Sequence, residues 1–233
     1  MRIMRILYTL LGFVLLSGCA PLLPPTPEEL PQQLQEEQAE DIGEQEAVTE
    51  EEGTEITLVE RLLPSGFIEI GDREAPVVLL MFTEHHCRYC KDFYNQHFPI
   101  LHRDFIDQGN VRLQIAILPL KKYPDSERAA TGLLCAAVQG KGMPMHKLLF
   151  ELGARDTDVL MSEAVTLELD TELFAQCLES PDTKATIERQ KSIARSLDVT
   201  LVPTFFLNGE KSVGLPYYPD LRGMIEKQLT VNN

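Results

Sequence analysis

Cys87 and Cys90 are the residues whose type and spacing suggest chemistry most directly, because they form a Cys-x-x-Cys motif around Arg88 and Tyr89. Side chains three residues apart on a helix are near neighbours, so the two thiols can close a small disulfide ring. Such a pair can carry out thiol–disulfide exchange. The motif alone leaves open a redox pair, a zinc site and a chance occurrence.

Two histidines precede the motif, and nitrogen and sulfur ligands together would suit zinc or copper. His85 and His86 are adjacent, however, and neighbouring side chains of an extended strand point to opposite faces. Joint ligation of one ion is therefore awkward, and we predict no metal and no cofactor. We expect His86 to tune the Cys87 thiolate or to line the groove that receives the substrate.

The segments around the motif place it between a strand and a helix. Residues 77–82 are continuously apolar, which is typical of a central strand covered on both faces. Apolar side chains then recur at helical spacing over residues 87–107. Pro99 lies inside this helix, where it removes a hydrogen bond and should kink the axis.

A cysteine at the start of a helix is favoured as a thiolate. The unpaired N–H groups and the macrodipole stabilise negative charge on the Cys87 sulfur, and Arg88 adds a cation beside it. The thiolate is the attacking and leaving form in exchange reactions. Cys90 lies one turn into the helix, so we expect it to be buried and to act as the resolving thiol.

The remaining elements complete an α/β domain with a mixed sheet. Further strands are predicted at residues 67–70, 111–117, 204–207 and 212–215, and a last helix at 218–229. A helical block at about 124–198 separates the third strand from the last two, with helices predicted at 127–139, 144–152, 158–169, 171–178 and 183–197. The strand–helix–strand unit implies a parallel pair, and Asn208-Gly209 predicts a hairpin.

A second motif, Val202-Pro203-Thr204, opens the closing hairpin. Together with the strand–CxxC–helix unit, it resembles the thioredoxin-fold oxidoreductases of the DsbA-like family. Residues 64–230 fit the element order of that family, including the helical insertion. The resemblance implies that Pro203 is cis and lies against the active cysteines, since cis bonds are essentially restricted to X-Pro. It also implies that the Val202 backbone pairs with an extended substrate chain.

The resemblance implies an oxidase that introduces disulfides into exported proteins and is reoxidised by a quinone-linked membrane partner of the DsbB type. A reductase or isomerase of the same fold, kept reduced by a donor of the DsbD type, is the alternative. Departures from the family leave the oxidising strength open. The best-known oxidase has Pro and His where this chain has Arg88 and Tyr89, and Met81 occupies the place of a buried acid that Glu84 could replace.

Some members of this family carry a second disulfide at positions matching Cys135 and Cys177. The resemblance therefore implies a structural disulfide here, which an oxidising compartment would permit. Two buried free thiols are the alternative, since unpaired cysteines pack like small apolar groups.

The N-terminus carries targeting signals. Two basic residues, a short apolar run and Leu16-Ser17-Gly18-Cys19 resemble a bacterial lipoprotein signal, which implies cleavage after residue 18 and lipidation of Cys19. A plain secretory signal is the alternative. Residues 19–56 follow as an acidic, Pro- and Gln-rich tether predicted to be disordered, leaving 57–233 as the thioredoxin-like domain. We expect a periplasm-facing protein of the cell envelope, held to a membrane by its lipid.

The charge distribution argues against nucleic acid as a partner. The chain carries 36 acidic residues against 21 Lys and Arg, a net charge of −15. Residues 20–56 hold twelve of the acids and no Lys or Arg. Phosphate binding depends on basic side chains, so this balance excludes a typical nucleic-acid surface. A metal-binding or adhesin-like surface lipoprotein with a vestigial motif is the remaining alternative from another class.

Overall fold

The computed structural model describes residues 60–152 and 155–231. The strands are β1 (Glu60–Leu62), β2 (Ile68–Ile70), β3 (Val77–Thr83), β4 (Val111–Ile117), β5 (Thr204–Leu207) and β6 (Glu210–Val213). The helices are α1 (Arg88–Asp92), α2 (Phe98–Leu101), α3 (Ser126–Val138), α4 (Gly142–Glu151), α5 (Thr157–Thr166), α6 (Thr171–Glu179), α7 (Pro181–Ser196) and α8 (Tyr218–Val231). The signal sequence, the tether and Cys19 lie outside the described residues, and those assignments remain predictions.

The six strands form one mixed sheet in the order β1-β2-β4-β3-β5-β6. β3 and β4 are parallel, as the strand–helix–strand pattern predicts, and β5 lies antiparallel on the other side of β3. The β5–β6 hairpin turns at Asn208 and Gly209, whose φ angles of 47° and 90° suit a tight hairpin turn. β3 therefore occupies the centre of the sheet, and the cysteine motif follows directly after its C-terminal end.

The central strand is covered on both faces, as its continuous apolar sequence predicts. Leu79 and Met81 belong to the larger core, which also contains Cys90 and the inserted helices. Phe82 belongs to a second, smaller core together with Ala194 of α7 and Phe206 of β5. Alternate side chains of β3 thus pack against helices on both faces of the sheet, and this packing fixes the position of the end of the strand.

The helix after the motif is irregular where a kink is expected. Two π-helical turns, Phe93–His97 and His102–Ile106, flank α2. Pro99 lies in the first turn of α2, so its missing N–H falls where a regular turn begins. The N–H of Phe98 bonds to the carbonyl of Phe93, five residues back. This wider π-helical turn accommodates the hydrogen bond that Pro99 cannot donate, so the helix continues.

The inserted helices α3 to α7 agree with the five predicted ones to within a few residues at each end. β1, by contrast, is missing from the sequence-based prediction, because three residues give too short a pattern. The Glu60 carboxylate of β1 accepts hydrogen bonds from the N–H groups of Gly142 and Met143 and so caps α4. In the part of the chain that the structure describes, no helix is long and apolar enough to span a bilayer.

Candidate active site

Cys87 lies at the end of the segment that connects β3 to α1, and Cys90 lies in the first turn of α1. Cys87 is the N-cap residue of α1, and its sulfur accepts a hydrogen bond from the Cys90 N–H at 3.4 Å. Both thiols are free, Cys87 is partly exposed and Cys90 is fully buried. Cys87 thus lies at the start of the helix and Cys90 in the core, and their roles as attacking and resolving thiols remain a prediction.

The two thiols have opposite acid–base properties. The side-chain hydrogen bond from Cys90 and the N–H groups of Cys90 and Tyr89 lower the pKa of Cys87 to about 6, although burial and the Glu84 charge oppose them. Burial, reinforced by the hydrogen bond to Cys87, raises the pKa of Cys90 far above its usual range. At neutral pH the accessible sulfur is therefore a thiolate and the buried one is a thiol.

The loop before β5 crosses directly over the cysteines. The Val202–Pro203 peptide bond is cis, as expected. In its protonated form Cys87 donates a hydrogen bond to the Val202 carbonyl at 3.5 Å, across 115 residues of sequence. Thr204 begins β5 and is fully buried, and its hydroxyl donates to the Leu201 carbonyl at 2.7 Å. Tertiary folding thus brings the two sequence motifs into one site.

The residues between the cysteines have largely exposed side chains. The Arg88 side chain is 88% exposed, so solvent screens its charge, and it lies 3.7 Å from the Asp92 carboxylate. Tyr89 is 59% exposed. Hydrogen bonds at the helix start, rather than Arg88, account for the lowered pKa of Cys87. A contribution of Arg88 or Tyr89 to thiolate tuning remains a prediction, and we expect it to be small.

The buried carboxylate of Glu84 connects the segment after β3 to Ser126 at the start of α3. Glu84 is 1% exposed and accepts hydrogen bonds from the His86 backbone N–H and from the Ser126 hydroxyl, each at 2.7 Å. The His86 ring bonds to the same carboxylate at 2.7 Å and stacks on Tyr123 at a centroid distance of 4.7 Å. This network fixes the segment that leads into Cys87.

An open groove of about 530 Å³ runs beside the exposed sulfur. Three segments line it: residues 87–89, 120–123 and 200–202. Lys121 and Lys122 contribute to the wall, although their sequence context reads only as a solvated loop. No local pattern assigns the groove to these residues, because it arises from the meeting of segments far apart in the chain.

The two adjacent histidines lie in a turn after β3 rather than on the extended strand expected from the sequence, but their side chains still lie in different environments. The His85 ring is buried and lies 2.9 Å from the His146 ring, and Arg155 donates to the His85 carbonyl. Burial lowers the pKa of His146 to about 3, so this pair is neutral. Among residues 60–152 and 155–231, no cluster of three His, Cys, Asp or Glu side chains is arranged to hold a metal ion.

A family model described as thioredoxin matches residues 65–227, which is most of the chain. This protein belongs to the thioredoxin family. A similar curated protein is "Disulfide bond formation protein D" of Bacillus subtilis, which is 25% identical over 181 residues, with 69% of this chain and 76% of that one covered. The solved structure of Wolbachia pipientis alpha-DsbA1 superimposes with a TM-score of 0.65 at 23% identity, covering 73% and 94% of the two chains.

A third relative of this thioredoxin-family protein is much longer. "Na(+)/H(+) antiporter NhaA 3" of Salinispora tropica is 33% identical over 152 residues, which make up 63% of this chain. The matched region is only 22% of that relative, so its name describes a protein far larger than the part in common. The similarity to alpha-DsbA1 extends through the helical insertion, and the DsbA-like fold predicted from the sequence is confirmed.

The second disulfide expected from the family resemblance is present. Cys135 of α3 and Cys177 of α6 are bonded, with their Cα atoms 5.7 Å apart. The bond joins two helices of the helical insertion. The alternative of two buried free thiols is therefore wrong for this structure.

The low pKa of Cys87 leads to a prediction for its reactivity. Alkylation of the reduced protein by iodoacetamide should follow a titration with a midpoint near pH 6, because the thiolate is the reacting form. The reduced state gains stability from this thiolate at alkaline pH, and the gain disappears as the pH falls from about 9 to about 6. Stopped-flow alkylation would measure the midpoint.

The same measurement on Arg88→Ala tests the tuning role of that residue. We expect only a small change in midpoint, since the side chain is exposed and paired with Asp92. A wild-type midpoint near pH 8.5, the value of an unperturbed thiol, would contradict the assignment of Cys87 as a stabilised thiolate.

Proposed function

We propose that this protein is a thiol–disulfide oxidoreductase that introduces disulfides into exported proteins by exchange through Cys87 and Cys90. One observation carries the proposal. An accessible sulfur with a lowered pKa lies over a buried sulfur with a raised pKa, next to the Val202 carbonyl. This asymmetry suits a nucleophile and a resolving thiol.

The exchange proceeds in two balanced steps. A substrate thiolate attacks the Cys87 sulfur of the oxidised pair, so that a mixed disulfide forms while the Cys87–Cys90 bond breaks and its electron pair leaves on Cys90. A second substrate thiolate then attacks the substrate sulfur of that mixed disulfide and Cys87 leaves as a thiolate. The substrate has lost two electrons and gained a disulfide, and the protein ends with both cysteines reduced.

The substrate lies as an extended chain in the groove beside Cys87. Val202 precedes the cis-proline, and its backbone would pair with the substrate in the manner of an added strand. Thr204 holds this loop by its hydrogen bond to the Leu201 carbonyl. Recognition through main-chain groups suits a protein that acts on many unfolded or partly folded substrates, because it requires no particular sequence.

The electrostatics of the pair favour oxidation over reduction. Stabilisation of the Cys87 thiolate favours the reduced form of the protein, and a dithiol that is stable when reduced is a strong oxidant as a disulfide. A quinone-linked membrane partner of the DsbB type would restore the disulfide. A reductase or isomerase served by a donor of the DsbD type is the second candidate, since Tyr89 before the second cysteine resembles the isomerase branch of this fold.

The N-terminal signal supports a location in the cell envelope. We infer that Cys19 is lipidated and that residues 19–56 hold the domain away from the membrane, facing the periplasm. Two or more acyl chains anchor a protein stably, whereas one alone binds marginally. The location agrees with the proposed substrates, since disulfides form and persist in oxidising compartments such as the bacterial periplasm.

Two measurements test the proposal. The Cys87–Cys90 couple, equilibrated with glutathione, should have a potential nearer that of the strong oxidant DsbA (about −120 mV) than that of thioredoxin (about −270 mV). The oxidised protein should also form disulfides in reduced, unfolded ribonuclease. A strongly reducing potential, together with a mostly reduced state in cells, would favour the reductase. Failure both to oxidise ribonuclease and to reduce insulin would leave only the non-catalytic surface lipoprotein.

A further inference from the structure

Thr83, the last residue of β3, has a hydroxyl group that the fold does not otherwise use. The side chain is fully buried. Its Oγ1 has no hydrogen-bond partner of standard geometry among the described residues. A buried hydroxyl without a partner destabilises a fold, and valine has almost the same shape without that cost. The position of this hydroxyl therefore requires an explanation other than packing.

The exchange reaction creates a charge that needs a donor at this depth. When the Cys87–Cys90 bond breaks, the electron pair leaves on the Cys90 sulfur. Cys90 is fully buried, so water cannot solvate the departing thiolate. A buried charge without hydrogen bonds is costly, and preorganised donors at the place where charge develops lower a reaction barrier.

Thr83 lies on the same face of β3 as Leu79 and Met81, which pack in one core with Cys90. Burial is the largest effect on the pKa of Cys90 and raises it, whereas the Thr83 hydroxyl and the backbone of Glu84 act in the opposite direction through hydrogen bonding. In the reduced structure the contact falls short of standard geometry. A neutral thiol needs no donor, so a loose contact in that state is compatible with a close one when the sulfur is charged.

We propose that the Thr83 hydroxyl donates a hydrogen bond to the Cys90 sulfur as it leaves the disulfide, and so acts as a catalytic group for exchange. The proposal rests on the function assigned above to the cysteine pair. The O–H bond of Thr83 stays intact, and the leaving sulfur takes its proton afterwards from another source. The residue stabilises charge and does not transfer a proton.

The proposed role of Thr83 affects the rate at which the disulfide opens, but not the equilibrium between the oxidised and reduced protein. Thr83 acts on a Cys90 thiolate that exists only while the bond is breaking, because Cys90 is a thiol in the reduced protein at neutral pH. The reduction potential and the Cys87 titration should therefore be nearly unchanged when the hydroxyl is removed. Only the rate at which a thiolate opens the disulfide should fall, since a poorer leaving group departs more slowly.

The test uses the oxidised full-length protein and dithiothreitol, with the rate followed by stopped flow over a range of pH. Thr83→Val should slow opening of the disulfide roughly three- to tenfold. Thr83→Ser, which keeps the hydroxyl, should stay within about twofold of the wild type. Thr131→Val is the matched control, because the Thr131 hydroxyl is also largely buried but donates to the Glu127 carbonyl within α3.

Several outcomes would overturn the proposal. Thr83→Val opening as fast as the wild type would do so, as would Thr83→Ser being equally slow, since the side-chain packing would then be responsible. A change in potential as large as the change in rate would point to altered disulfide stability instead. Dithiothreitol opens the disulfide whether or not exported proteins are substrates, so failure with ribonuclease alone would count against the proposed function only.

Discussion

Replacing Cys87 by Ser abolishes disulfide formation in a reduced protein substrate, with an expected loss of at least about 10³-fold, because no other described thiol is both free and accessible. A hydroxyl cannot form the mixed disulfide on which exchange depends. Cys87 is partly exposed and its replacement removes little packing, so the variant should remain folded. The wild-type rate of ribonuclease oxidation gives the reference.

Cys90→Ser is the matched comparison, and its expected behaviour is different. Cys87 can still attack a disulfide in scrambled ribonuclease, but the buried sulfur that would release it is missing. A covalent complex should therefore accumulate and be visible on a non-reducing gel, whereas Cys87→Ser should give none. Retention of wild-type oxidation by Cys87→Ser, or capture of substrate by Cys87→Ser rather than Cys90→Ser, would reverse the roles assigned to the two thiols.

Removing the second disulfide has the largest expected effect on stability. Cys135 and Cys177 are separated by 42 residues, and a loop of that size corresponds to a loss of about 4 kcal/mol when the bond is absent. We expect Cys135→Ala together with Cys177→Ala to lower the free energy of unfolding by that amount. Alanine is the suitable replacement at residue 135, because the site is fully buried and a serine hydroxyl would need a partner.

Urea denaturation of the two proteins, with the Cys87–Cys90 pair oxidised in both, would measure the difference. The rate at which dithiothreitol opens that pair at low temperature should be almost unchanged, since the second disulfide ties α3 to α6, whereas Cys87 and Cys90 lie at the start of α1. Equal stability of the variant and the wild type would contradict a structural role for this bond. A lost exchange rate in a well-folded variant would show instead that the insertion controls the active site.

The cysteine motif and its neighbourhood were accessible to sequence reasoning because the signals are local. A continuous apolar run predicts a strand with two covered faces, and the spacing of Cys87 and Cys90 places both thiols in the first turn of the next helix. Asn208-Gly209 fixes a hairpin through its backbone preferences alone. The cis bond at Pro203 is predicted from the resemblance to a family, since no local sequence pattern predicts which proline will lie on which sulfur.

The groove and the environment of Cys90 cannot be predicted from local sequence patterns. Tyr123 stacks on His86, and Lys121 faces the active site, only because the segment after β4 returns beside the motif. Glu84 was a candidate for the missing buried acid, but the sequence could not say whether its side chain turned inward. The structure buries it against Ser126, and its charge raises the pKa of Cys87.

The sequence by itself determined the identity of the reacting atoms and the elements that carry them, because thiol chemistry, hydrophobic periodicity and turn preferences act over a few neighbouring residues. Only the tertiary structure decided which sulfur is exposed, that a carbonyl 115 residues away lies against it, and that the Thr83 hydroxyl is buried on the strand face that packs with Cys90. Burial and hydrogen bonding depend on what surrounds a group in space, and they set the opposite pKa shifts of two chemically identical side chains.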